Sequence, residues 1–246
     1  MPLPKLNVGT HTLKLPSSGK EIEYRPFLVK EEKILMTAME SGETADMIRA
    51  LRQIIDSCVE NDLSAMDMPM FDIEYIFLQL RAKSVGEKIP ITYSLEKDPC
   101  DKLMNANCSY NVEIDVNEIN VEKNPEHKDI IDLTKDIKIK MKYPQIEASA
   151  SIAGLEGEKL VEKTFEMIGE CIEYIVEGEE MHQTKDYSRK EIDEFLNSLS
   201  SGQFRSIQYF FDTMPKLKKE ITAECPSCGK KNTRTLVGIA DFFVSG

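Results

Sequence analysis

The chain has 246 residues, 41% apolar and 30% charged, and 43 acidic against 31 basic side chains give a formal net charge of -12. That length accommodates one large core or two modules, and that balance of apolar and charged residues excludes a disordered chain. The acidic surplus repels a phosphate backbone at long range, and no apolar run nears the roughly 18 residues that cross a bilayer, which argues against non-specific nucleic-acid binding and against a membrane span.

The opening MPLPKLNVGTHTLKLPSSGKEIEY lacks the apolar stretch of a signal peptide, so a cytosolic site of synthesis is expected. Residues 1–27 read as extended, with a Ser-Ser-Gly turn at 17–19 and the alternating KEIEYRPF as one arm of a hairpin. From Val29 the period becomes helical: VKEEKILMTAMESG sets Ile34, Leu35, Ala38 and Met39 on one face, and Gly42 stops it. Thr44 to Glu60 repeats that period with Met47, Ile48, Leu51, Ile54, Ile55 and Cys58, and Pro69 opens a third, apolar helix.

Between Lys88 and Pro144 apolar residues alternate, as in KIPITYSL, NVEIDVNEINV and DIKIKMKYP, which predicts strands separated by turns, EKNPEHKD at 122–129 among them. Helix resumes near Gln145 and strengthens over Glu158 to Val176, where Leu160, Val161, Phe165, Ile168, Ile172 and Ile175 form one stripe. VEGEEMHQTKDYS at 176–188 reads as an exposed loop, and Ser188 with Glu191 has the spacing of a capping box that starts RKEIDEFLNSLS as a helix. QFRSIQYFFDTM is a further helix ended by Pro215, after which KLKKEITAE and TRTLVGIADFF read as two strands of a terminal hairpin.

Helices, strands, helices and a hairpin in that order predict an α+β fold. The expected units are an N-terminal hairpin with helices at 1–86, a central β region at 87–144 holding Cys100 and Cys108, a helical region at 145–214, and a Cys-turn hairpin at 215–246 packed on the central strands.

The six cysteines are too few for a disulfide scaffold. Cys58 and Cys171 fall in apolar helical patterns and are expected as small buried hydrophobes. Cys225 and Cys228 belong to a Cys-Pro-Ser-Cys-Gly turn. A redox dithiol would place the first sulfur at a helix start. Gly229, Asn232, Thr233, Thr235 and Val237 instead favour a turn and a strand, the setting of a zinc-ribbon knuckle. Structural zinc takes four ligands, and Cys100 and Cys108 between two predicted strands are the candidates for the other pair. The alternative leaves those two unrelated and the Cys225 and Cys228 pair reduced and metal-free.

With four cysteines closing the shell, the ion would have no open position and would be structural. Lys97, Lys102, Lys230, Lys231 and Arg234 are placed to offset surplus thiolate charge, or are solvated surface. His11, His127 and His182 are isolated in sequence, and no phosphate loop, dinucleotide fingerprint or nucleophile elbow occurs, so no catalytic residue is assigned.

Several stretches together resemble the T-even phage baseplate protein family: LPSSGKEIEYRPFLVKEEKILMTAMESG, RALRQIIDSC, FLQLRAKSVGEKI, IKIKMKYP, KEIDEFLNSLSSGQFRSIQYFFDTMPKL and the terminal CPSCGKKNTRTLVGIADFF. The resemblance implies a role without chemistry in building the baseplate hub inside the infected bacterium, as a hub subunit of the virion tail or as an assembly factor. It implies other baseplate hub or tail proteins as partners; further copies of the chain are a second option, and the hydropathy gives no membrane partner. Phe242, Phe243, Met68 and Met70 are the candidate contact residues, since aromatic residues and Met are enriched at interface cores. The competing readings are a nucleic-acid-binding ribbon using Lys216, Lys218, Lys219, Lys230, Lys231 and Arg234, and a redox dithiol at Cys225 and Cys228.

Overall fold

A computed structural model describes residues 8–60, 63–100, 102, 107–152 and 154–243. It opens with an antiparallel hairpin of β1 (His11–Lys14) and β2 (Glu21–Tyr24), whose alternation turns Ile22 and Tyr24 inward. Three helices follow, α1 (Val29–Ser41), α2 (Thr44–Cys58) and α3 (Met70–Ser84). On α2 the buried residues Ile48, Leu51, Ile54, Ile55 and Cys58 recur three and four apart and form its inner stripe. α3 is apolar nearly all round, because it serves two cores at once.

The central strands are β3 (Lys88–Pro99), β4 (Asn107–Asp115), β5 (Asn120–Glu122), β6 (Ile130–Asp132) and β7 (Ile137–Met141). Helices α4 (Ile146–Ile152) and α5 (Gly157–Glu170) lead to β8 (Ile172–Glu177) and β9 (Glu180–Gln183). Then come α6 (Arg189–Ser198), α7 (Ser201–Thr213), β10 (Lys216–Glu224), β11 (Lys231–Val237) and the short α8 (Ala240–Phe243). The molecule is α+β, built on small antiparallel sheets.

Two sequence expectations change. The helical stripe ends at Glu170, and Ile172 and Ile175 lie in β8, where the β-branched Ile172, Ile175 and Val176 pair with β7. The stretch expected as a loop at 176–188 holds a tight turn, strand β9 paired to β8, and a single 3-10 turn. The central strands divide: β5 joins β10 and β11, whereas β6 and β7 join β8 and β9.

Side chains gather into three cores. The first packs β1 and β2 against α2, α3 and Ile146 of α4. The second joins β3, β4, β5, β10 and β11 with Leu78 and Ala82 of α3. The third lies between the β6 to β9 strands and α5, α6 and α7, around Ile139, Ile172, Ile207 and Phe210.

Buried polar groups tie these parts together. Asp72 on α3 accepts hydrogen bonds from the Ser17 amide at 3.0 Å and from the Ser17 hydroxyl, which pins the first hairpin turn. His127, in the turn between β5 and β6, lies against Phe210 and Tyr143 with ring centroids 4.9 and 5.6 Å away. The Thr213 hydroxyl donates to the Tyr209 carbonyl, so it accepts from His127 Nδ1–H at 3.0 Å, and Nε2 takes the Tyr143 hydroxyl proton at 3.1 Å. This neutral imidazole, whose pKa burial lowers, ties the turn between β5 and β6 to Tyr143 and to the end of α7.

Candidate metal centre

Two hairpins meet to form the centre. In the first, β3 and β4 pair from Lys88 with Asp115 to Ser94 with Ser109, shift register, and resume with Pro99 opposite Asn107. That last pair sets Cys100, just after β3, beside Cys108, the second residue of β4. Seven residues separate the two cysteines along the chain, and antiparallel register brings them together in space.

The second hairpin pairs β10 with β11 from Lys218 with Val237 to Glu224 with Lys231, leaving residues 225–230 as the turn. The Cys225 amide donates to the Lys230 carbonyl at 2.8 Å, and the Gly229 amide donates back to the Cys225 carbonyl at 2.8 Å. Gly229 has φ +79°, a conformation that costs glycine little and side-chain-bearing residues more. Amides of Cys228 and Ser227 point at the Cys225 sulfur and hold its thiol well below the usual thiol range, against burial. Burial and neighbouring sulfurs push the Cys108 thiol up.

The four sulfurs of Cys100, Cys108, Cys225 and Cys228 all lie within 4.8 Å of one another, and Cys108 and Cys228 approach to 3.5 Å. Tetrahedral zinc with Zn–S bonds near 2.3 Å needs sulfurs about 3.8 Å apart, so the cluster has the dimensions of a four-thiolate site. Cys100, Cys108 and Cys225 are buried, Cys228 half-buried, and none is in a disulfide. Among the described residues these are the only group of three or more Cys, His or carboxylate side chains close enough to share an ion.

A shell of aromatic and polar contacts braces the two hairpins. Tyr93 and Tyr110 stack at 5.1 Å, the Tyr93 hydroxyl donates to Asn232 Oδ1 at 3.1 Å, and the Arg234 guanidinium lies 5.4 Å above the Tyr93 ring. Arg234 also pairs with Asp241 at 3.3 Å, Lys219 with Glu118 at 2.8 Å and Lys218 with Glu122 at 4.0 Å. Lys218, Lys219 and Arg234 of the basic cluster read from the sequence are thus already engaged by carboxylates.

The remaining expected residues fall as follows. Cys58 and Cys171 are buried apolar-core thiols, pushed up to about 11 and about 12 by burial. Phe242 does not extend β11: the Asp241 carboxylate accepts from the Val237 amide at 2.8 Å, the chain turns into α8, and Phe242 is 1% exposed in the second core. Met68 is 4% exposed in the first core, so both residues are buried within the chain. Met70 is half-buried at the rim of a cleft, and the Phe243 side chain lies outside the described residues.

The sequence reading missed the outward face of α1. Val29, Met36 and Met39 stand 65%, 63% and 49% exposed there, while Glu31 on the inner face is buried against Arg25 at 2.9 Å. Positions 29, 36 and 39 follow helical spacing, so that stripe was legible, but Met39 had been assigned to the core side.

The class the fold and site define is an α+β protein with a four-thiol cluster between two hairpins that could hold a metal ion. The chain belongs to the family described as T4 bacteriophage base plate protein, which matches residues 8–244, nearly its whole length. No curated protein and no solved structure matches it. Among the described residues no helix is long and apolar enough to cross a membrane.

Proposed function

We propose that this chain is a non-enzymatic structural or assembly protein of the phage tail baseplate hub, acting through protein contacts and held together by one structural zinc ion. Family membership over residues 8–244 is the observation that carries the reading. Cys100, Cys108, Cys225 and Cys228 would hold the ion, which would cross-link chain segments more than 100 residues apart in sequence. With all four thiolates as ligands, zinc has no vacant position for substrate, so its contribution is to stability. The apolar outward face of α1 supports action by contact with other proteins of the tail, assembled in the infected host's cytoplasm.

The nucleic-acid alternative has less support. Lys218, Lys219 and Arg234 spend their charge on Glu122, Glu118 and Asp241, and the chain as a whole carries -12. The test is capture of the tagged full chain from phage-infected bacteria, with partners identified by mass spectrometry. Baseplate hub proteins are the expected catch; nucleic acid released by modest salt, without tail proteins, would overturn the proposal.

A further inference from the structure

The four sulfurs of the metal centre differ in what can reach them. Cys100, Cys108 and Cys225 are 5%, 0% and 2% exposed, whereas Cys228, in the turn between β10 and β11, is half-buried. A solute arriving from water therefore meets the Cys228 sulfur first. The sulfurs differ also in what holds them. That of Cys225 accepts from the amides of Cys228 and Ser227, which engages its lone pairs within the turn. That of Cys108 stands 3.5 Å from the Cys228 sulfur, across a separation of 120 residues in sequence.

A cysteine that ligates zinc is a thiolate, and the thiolate is the form that attacks an oxidant. Cys228 adds access to that form, and Cys108 lies beside it as a second thiolate. We infer that Cys228 is an oxidation site and Cys108 its resolving partner, so that a hydroperoxide exchanges the ion between the hairpins for a Cys108–Cys228 disulfide. The inference rests on the reading of the four cysteines as one zinc site.

The chemistry takes two steps. The Cys228 sulfur takes one oxygen as the peroxide O–O bond breaks, which gives a sulfenic acid and one hydroxide. The Cys108 thiolate then attacks that sulfur; the S–O bond breaks, a second hydroxide leaves and the S–S bond forms. In all, the two sulfurs lose two electrons and the peroxide gains them. Their separation closes from 3.5 Å to about 2.05 Å. Cys100 and Cys225 are then the remaining ligands, half the set that structural zinc needs, so the ion leaves. The choice of partner decides what happens to the fold. A Cys108–Cys228 bond keeps β4 tied to the β10–β11 turn, whereas a Cys225–Cys228 bond would close within that turn and release the hairpins from each other. Pairing with Cys108 therefore keeps the hairpins joined in an oxidising compartment as well as in a reducing one.

The experiment titrates the purified full chain, as isolated with its zinc, with hydrogen peroxide. A chromogenic chelator reads released zinc, and peptide mass spectrometry without reductant reads cysteine pairing. About one equivalent of peroxide should release about one zinc per chain and yield the Cys108–Cys228 peptide pair, and dithiothreitol with added zinc should restore the starting state. A brief peroxide pulse in the presence of dimedone, which traps sulfenic acids, should label Cys228 ahead of the other ligands. Labelling of another cysteine first, a Cys225–Cys228 pair as the main product, or a zinc-loaded chain unchanged by excess peroxide would each overturn the inference and leave the metal site standing. A parent chain isolated without zinc would overturn both.

Discussion

Glu31 and Glu74 show how one residue type acquires opposite pH behaviour. At Glu31 burial opposes charge, but hydrogen bonds from Arg25, the Leu28 amide and Lys30 outweigh it and lower the pKa. A carboxyl lowered in this way adds stability above its unfolded value and loses it as pH falls through the folded one. Glu31→Ala leaves Arg25 without its buried partner and should cost about 3 kcal/mol at neutral pH in urea unfolding, with the deficit shrinking in acid. At Glu74 the sign reverses, because burial raises the carboxyl to about 7. Its protonated form contributes below the ordinary glutamate range, and that contribution is lost as pH climbs through about 7. Glu74→Gln, which keeps an acceptor for the Ile239 amide, should gain on the parent by ~2 kcal/mol between pH 5 and 8. An unchanged difference across that range would mean that Glu74 titrates as an exposed carboxyl. Gly238→Ala meets both a φ of +69° and the close Glu74 oxygen, and a loss of ~1–2 kcal/mol is expected from thermal unfolding.

At the scale of elements, what could be read in advance depended on whether the signal was local. The α6 capping box was legible, since Ser188 and Glu191 exchange hydrogen bonds within one turn. So was the Cys225 to Cys228 knuckle, because a turn and two β-branched flanks specify it nearby. The stretch around Ile172 was not: its spacing suits a helix stripe, and pairing with β7, more than 30 residues away, decides for strand. Phe242 was misplaced for a similar reason, since a single Asp241 side chain bends the chain out of β11. The meeting of Cys100 with Cys225 was expected from residue type alone, and hairpin register supplied the geometry. If an ion joins these hairpins, chelation should speed amide exchange in β10, β11 and the distal ends of β3 and β4, while the β6 to β9 sheet keeps its protection.

Across the whole molecule, the joints carry more of the argument than the cores. α3 is shared by two cores, and His127 ties the turn between β5 and β6 to Tyr143 and the end of α7. Without its clip, the second core would rest on two hairpins and short strands, which are weak units by themselves. A structural zinc site supplies roughly 10–16 kcal/mol of apparent binding free energy, as large as the stability of a typical domain. The most direct test of the account is therefore metal analysis of the purified full chain beside Cys108→Ser. The account predicts about one zinc per parent chain, and in the variant a lost or weakened ion with stability lower by about 5 kcal/mol. A metal-free parent, or a variant with undiminished zinc and unchanged unfolding, would contradict it.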